Sequence, residues 1–282
     1  MNQRRSSRFD DPPLFGWRRT LLLVSSFVSM NSPTAEAERV RSDETLVVVV
    51  PCYNEEANIE QTVQSIRSVA SELPLRVDVL LIDDGSSDGT KGKISDICER
   101  YGYSAMYNAQ NRGVGWSLLE AYKRIDPEHW VTIMPGDNEI DFASIKGFVR
   151  VRDEFDLILG YLQNPVIRPL GRRLFSVAYM RTVRIIYGFP FRYLNGMKLF
   201  RANVFQGIDV EAAGHAFNSE LLAKAILRDP SIRVGEASFI ARGRATGNSN
   251  AIRPSAVVQS VLEVGRGWRS VGQFRNKVTR GD

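Results

Sequence analysis

From Thr45 onward the apolar residues follow two alternating rhythms. Leu46–Val50 is an unbroken aliphatic run, the pattern of a strand buried on both faces. Glu55–Leu73 follows, with Ile59, Val63, Ile66, Val69 and Ala70 at helical spacing. The alternation continues with a strand at Arg76–Ile82, a helix at Asp88–Tyr101, a short strand at Ser104–Asn108 and a helix at Gly115–Ile125. Next come a strand at Trp130–Met134, a helix at Asp141–Arg150 and a strand at Asp156–Leu159. Strands and helices alternating at this spacing predict right-handed βαβ crossovers and a mostly parallel sheet, an α/β fold. After Gly160 the rhythm changes. The pattern then predicts a helix at Leu170–Tyr187, a strand at Tyr193–Phe200, a helix at His215–Arg228, a strand at Arg233–Arg242 and a terminal helix at Pro254–Val271. Nothing in 45–272 reads as a linker between domains, so the expectation is one domain there, with tails at 1–44 and 273–282.

The first tail is rich in Arg, Pro, Ser and Glu and poor in core formers. Its ten-residue apolar stretch, Leu21–Met30 behind Arg18 and Arg19, reads as a surface helix, a disordered segment or a short secretory leader. No apolar run in the chain reaches the roughly 18 residues of a spanning helix. Two cysteines, Cys52 and Cys98, exclude a disulfide scaffold, and two histidines, His129 and His215, disfavour a histidine-built metal site. The net charge of +5 conceals an asymmetry. Residues 45–141 carry 8 basic against 16 acidic side chains, and residues 142–282 carry 22 against 10. The basic half lacks a recognisable nucleic-acid motif and the middle is acidic, so no nucleic-acid partner is expected.

In an open α/β sheet the ligand sits off the carboxyl ends of the strands. Three such ends carry unusual residues: Pro51-Cys52-Tyr53-Asn54-Glu55-Glu56, Asp83-Asp84-Gly85-Ser86, and Pro135-Gly136-Asp137-Asn138-Glu139. Each alone is an acceptable turn. Together they gather carboxylates whose repulsion needs cations or hydroxyl donors to offset it. A divalent metal plus a ribose would do both, and hard oxygen ligands suit Mg²⁺ or Mn²⁺.

The strings VVVVPCYNEEANI, LLIDDGSSDGT and NAQNRGVGWSLLEAY, in this order and spacing, resemble family 2 glycosyltransferases of the GT-A fold, a single Rossmann-like domain. NGMKLFRANVF, Glu220 and RATGNSN resemble the dolichyl- or polyprenyl-phosphate hexosyltransferase branch. The resemblance implies that Pro51, Tyr53, Asn54 and Glu55 hold the nucleotide base and ribose, together with Asp83 and Asp84. It implies that Asn111, Arg112 and Gly113 shape the donor pocket beside Gly136. Asp137 matches the last Asp of the metal-binding Asp-x-Asp motif, with Glu139 as a second ligand. Arg244, Gly247 and Ser249 match a late Arg-x-x-Gly-x-Ser motif, in which the Arg meets phosphate. The sequence departs from the pattern at Pro135, which stands where the motif has its first Asp, and at Glu139, where the branch often has Gln.

These residues imply an inverting transfer of a hexose from a UDP- or GDP-sugar to a polyprenyl phosphate. The leaving diphosphate would be stabilised by a metal at Asp137 and by Arg244. The alternatives are transfer to a soluble or polysaccharide hydroxyl, and a non-catalytic nucleotide-sugar-binding protein of the same fold. A hydroxyl acceptor needs a base, for which Glu220 and then His215 are the candidates. Between Leu157 and Ile208 the chain carries eight basic residues and no acid. Arg172 and Arg173 in that stretch read as ligands of an acceptor phosphate, as part of a basic amphipathic helix on an anionic membrane, or as a solvated face. The expected location is cytoplasmic, peripheral at the cytosolic face of a membrane.

Overall fold

The computed structural model describes residues 44–242 and 254–280. The continuous aliphatic run is β1 (Thr45–Cys52), and it lies inside the sheet because both its faces are apolar. Val47 and Val49 point into one core, and Leu46, Val48 and Val50 into the other. The chain continues through α1 (Ile59–Ala70), β2 (Arg76–Asp83), α2 (Thr90–Tyr101), β3 (Ser104–Tyr107), α3 (Val114–Tyr122), β4 (Trp130–Ile133) and α4 (Ile145–Arg150). It then forms β5 (Leu157–Leu162), α5 (Leu170–Tyr187), β6 (Lys198–Arg201), α6 (Phe217–Arg228), β7 (Val234–Phe239) and α7 (Pro254–Arg280). The sheet order is β3-β2-β1-β4-β6-β5-β7. Every pairing between these strands is parallel except those of β6, which runs against both β4 and β5. Helices α1, α2 and α4 cover one face, and α3, α5, α6 and α7 cover the other. The α/β expectation holds, with a seven-stranded, mostly parallel sheet between helical layers.

The antiparallel direction of β6 positions the site. The chain leaves the carboxyl end of β5, builds α5 and re-enters the sheet at Lys198 on the same edge. Helix α5 therefore stands beside the turn that follows β4. The strand expected from Tyr193 begins only at Lys198, and Tyr193–Met197 is irregular backbone over that edge. The helix expected from Glu55 begins at Ile59, and the helix expected from His215 begins at Phe217 after a 3₁₀ turn at Gly214–Ala216. The second delayed start leaves His215 off the helix, where it lines a cavity at this edge.

Glu44, expected in the tail, is anchored: its carboxylate pairs with Arg152 at 3.3 Å and Arg201 at 3.0 Å. Beyond Val271, where the pattern ends the last helix and a tail was expected from 273, α7 continues to Arg280. The remaining expectations for residues 1–43 lie outside the described residues. Among the described residues no helix is long and apolar enough to cross a membrane.

Candidate active site

Parallel pairing of β1 with β2 and with β4 brings the three acidic strand ends to one edge. Backbone bonds fix them: Gly136 N–H donates to Pro51 O at 3.1 Å, and Asp84 N–H donates to Cys52 O at 2.8 Å. Thr62 Oγ1 on α1 donates to Gly136 O at 2.8 Å. A Cβ at Gly136 would lie 2.7 Å from Cys52 Sγ, so only glycine lets the β4 turn approach β1 this closely. The loop after β1 is locked to the loop after β2. Asn54, in the left-handed region at φ 57, accepts from Ser87 N–H at 2.9 Å, while its own N–H donates to Ser86 Oγ at 3.0 Å. Glu55 N–H donates to Thr90 Oγ1 at 2.8 Å, and Glu56 accepts from Gly89 N–H at 2.9 Å. Asn54 and Glu55, expected to hold the nucleotide, thus also build the wall. Tyr53 beside them is exposed.

The Cys52 thiol registers the electrostatics of the crevice. Burial pushes it far up, and the carboxylates of Glu55, Asp83, Asp137 and Asp88 push it further. Several anions therefore converge on one point, as the strand-end pattern requires. Asp83 is buried and accepts from Ser86 N–H at 3.1 Å. Asp84, expected to contact the nucleotide, is turned inward. Its oxygens accept from Asn108 Nδ2 at 2.7 Å, Gly113 N–H at 2.8 Å, Arg112 N–H at 3.0 Å and Ser117 Oγ at 3.0 Å. A carboxylate so occupied organises the Asn111-Arg112-Gly113 turn rather than touching a ligand itself. The Arg112 guanidinium lies 5.2 Å from the Trp116 ring centre.

A cavity of about 190 Å³ opens where the β4 turn meets α5. Asn138, left-handed at φ 55, turns the chain so that Asp137 and Glu139 on either side both line it. Arg168 and Arg172 form the opposite wall, with Tyr179, Tyr193 and His215 around it. Arg172 reaches Glu139 at 3.4–3.5 Å. The His215 ring packs edge-on against Phe175 and Tyr179. Desolvation and the Arg172 charge hold its pKa below the usual value, so the imidazole is neutral at pH 7.

Among the described residues no group of three or more His, Cys, Asp or Glu side chains gathers as a metal cage. Asp137 and Glu139 supply two carboxylates to one cavity, and the Glu55, Asp83 and Asp137 carboxylates all act on the neighbouring Cys52 thiol. That donor set fits Mg²⁺ or Mn²⁺, which take one or two protein carboxylates and complete their shell with substrate phosphates and water.

Besides that of Asp84, two sequence-based roles are corrected. Glu220, a candidate base, is fully buried. It pairs with Lys224 at 2.7 Å and accepts from the backbone N–H groups of Ala212 at 2.7 Å and Glu211 at 3.1 Å. A proton acceptor must reach the acceptor hydroxyl, and this carboxylate is committed inside α6 and α7. Arg173 is not part of the cavity wall; Arg168 stands there with Arg172, because the loop before α5 curls back over the site. Phe175, Tyr179 and Tyr193 went unassigned in the sequence, and Arg168 entered only as one of the basic residues of the acid-free stretch, whose arginines could grip a phosphate. Arg244, Gly247 and Ser249 lie outside the described residues.

Comparison with known proteins bears on this arrangement. The chain is 26% identical over 208 residues to a dodecaprenyl-phosphate galacturonate synthase of Rhizobium johnstonii, covering 72% of this chain and 61% of the relative. It is 22% identical over 186 residues to a dolichol-phosphate mannosyltransferase of Pyrococcus furiosus, covering 63% and 52%. It thus spans between half and two thirds of the length of these two relatives. In fold it is similar to a glucosyl-3-phosphoglycerate synthase from Mycobacterium tuberculosis, solved with Mn²⁺, UDP-glucose and phosphoglyceric acid. That match has a TM-score of 0.61 and 17% identity, over 86% of each chain. The sequence profile of glycosyl transferase family 2 matches residues 47–206, the stretch that builds the three acidic strand ends, α5 and the return into β6. On that match the chain belongs to glycosyl transferase family 2.

Proposed function

We propose that this protein transfers a hexose, with inversion, from a nucleotide-diphosphate sugar to a polyprenyl phosphate. The observation that carries the reading is the polarity of the cavity: two carboxylates on the β4 turn face two arginines on and before α5. The acidic wall suits a cation-bound diphosphate, and the guanidinium wall suits a second phosphate. Asp137 and Glu139 would hold a divalent metal, which when bound stabilises the charge that develops on the leaving diphosphate. Tyr53, Glu55 and Asp83 face the nucleoside from β1 and β2, and the turn that Asp84 organises closes the pocket. A phosphate acceptor is ionised at pH 7 and attacks the anomeric carbon from the face opposite the leaving group without a strong base. Arg168 and Arg172 orient it. The names of the relatives support a lipid-phosphate acceptor.

The outer face of α5 fits a lipid substrate. Leu170, Leu174, Val177 and Ile185 are all more than half exposed, and Arg173 and Arg181 lie among them. An apolar stripe with cationic neighbours docks on an anionic bilayer surface, and it would bring the cavity on the helix's inner side to the acceptor. A second reading, transfer to a hydroxyl, is favoured by the neutral His215 in the cavity, a base of the right protonation state.

Asp137→Asn tests the reading. Transfer should be lost while the circular dichroism spectrum and UDP-independent stability are kept. Turnover near the wild-type rate in that variant, in the presence of EDTA, would overturn the metal role.

A further inference from the structure

We propose that Arg172 stands in for the divalent cation at Glu139. Metal uptake with the nucleotide then releases Arg172 to the acceptor's phosphate, and donor and acceptor binding reinforce each other. The inference rests on the donor-site reading above.

The pair is built for exchange. Arg172 Nη1 and Nη2 lie 3.5 and 3.4 Å from Glu139 Oε2, at the outer limit of hydrogen bonding. Among the other described guanidinium–carboxylate pairs some are as long, Arg76–Asp78 at 3.4 Å and Arg152–Glu44 at 3.3 Å, and some are much closer. Arg233 forks onto Asp156 at 2.9 and 3.1 Å, and Arg242 meets Asp141 at 2.8 Å. Both members of the loose pair retain access to solvent, with 27% of the Arg172 side chain and 16% of the Glu139 side chain exposed. Arg172 also lines the cavity with Arg168 and His215. One guanidinium therefore serves two places: the acidic turn beside Asp137, and the wall it shares with Arg168.

A divalent cation at Glu139 and a guanidinium at the same oxygen exclude each other by like charge. Once displaced, Arg172 needs another anion. The phosphate that enters this cavity supplies one, in a geometry that a guanidinium matches with two bonds. The reverse holds by linkage: a phosphate that keeps Arg172 from Glu139 tightens the metal by the same factor. Glutamate at 139 is essential to the device, because glutamine has no charge with which to hold Arg172.

The experiment titrates Mn²⁺ into the full chain with UDP, reading free Mn²⁺ by electron paramagnetic resonance, with and without farnesyl phosphate. In the wild type, farnesyl phosphate should tighten Mn²⁺ uptake about 5- to 20-fold, in the lower part of the roughly 5- to 150-fold range of ordinary site coupling. Arg172→Ala should tighten Mn²⁺ several-fold without farnesyl phosphate and remove the coupling. Arg168→Ala, which deletes the same charge from the same cavity without touching Glu139, should weaken farnesyl phosphate binding yet leave a measurable coupling. The proposal is overturned if Arg172→Ala keeps the wild-type coupling, or if Arg168→Ala tightens Mn²⁺ equally, since the effect would then be net charge alone. If no variant and no wild type takes up Mn²⁺ with UDP, the donor-site reading itself has failed. Uptake without coupling defeats only the exchange.

Discussion

Replacing Glu220 by glutamine separates a structural carboxylate from a catalytic one. Glu220 Oε1 lies 2.7 Å from Lys224 Nζ, and Oε2 accepts from Ala212 N–H at 2.7 Å. Lys224 also donates to Asp209 O at 2.7 Å and to Ser270 Oγ on α7 at 2.8 Å. Glutamine keeps the shape and one acceptor oxygen but leaves a buried ammonium with only neutral partners. Removing one member of a buried ion pair costs about 3–5 kcal/mol, and the retained oxygen places this case near 3. At about 2.1 cal/mol/K of unfolding entropy per residue over roughly 230 residues, the midpoint should fall by about 6 °C. Urea unfolding followed by circular dichroism gives the free energy, and turnover measured well below both midpoints gives kcat. The expected result is a loss of stability with kcat within a few-fold of wild type. Adding Lys224→Met should recover most of the loss, because the unpaired charge is then gone. A stability change under about 1 kcal/mol, together with a kcat drop of about 100-fold or more, is the signature of a general base and would refute the argument.

Further outcomes follow from other positions. Asp84→Asn sets an amide N–H₂ against donors that converge on the carboxylate, so the Asn111-Arg112-Gly113 turn should loosen and UDP affinity fall about tenfold or more; unchanged affinity by calorimetry would contradict that role. Lys198 is buried and held down to about 7 from its ordinary 10.5 by desolvation. Between those values the folded chain binds fewer protons than the unfolded chain, so stability should rise with pH above about 7. Lys198→Met should flatten the rise, and an unchanged slope of urea midpoint against pH would exclude Lys198 as its source. Leu174→Glu with Val177→Glu should abolish sedimentation with anionic vesicles at low salt, whereas retained binding would remove α5 as the docking face.

The βαβ half of the fold was legible because its strands are continuous aliphatic runs and its helices carry a clear apolar stripe, as in Leu46–Val50 and Ile59–Val69. The acidic strand ends were legible for the same reason, since parallel strands must deliver their carboxyl ends to one edge. The direction of β6 was not, because a short buried strand reads the same in either direction. Pairing with β4 and β5 decides it, and with it the place of α5. Asp83 and Asp84 are adjacent acids in the sequence, and only the turn at 111–113 shows that Asp84 is consumed by backbone donors. Glu220 occupies a helix's first turn, which reads as a solvated carboxylate until α7 buries it. Arg168 and His215 are 47 positions apart, so their meeting in one cavity is a tertiary fact with no local signal.

The most direct test of the central claim is the product of the complete reaction. The chain is incubated with Mn²⁺, a panel of UDP- and GDP-hexoses, and either undecaprenyl phosphate in anionic vesicles or a water-soluble hydroxyl acceptor, and the products are read by mass spectrometry. The account predicts one added hexose on undecaprenyl phosphate with at least one donor, lost in Asp137→Asn. Hexose transfer only to the soluble hydroxyl, or to neither acceptor with any donor, would contradict it.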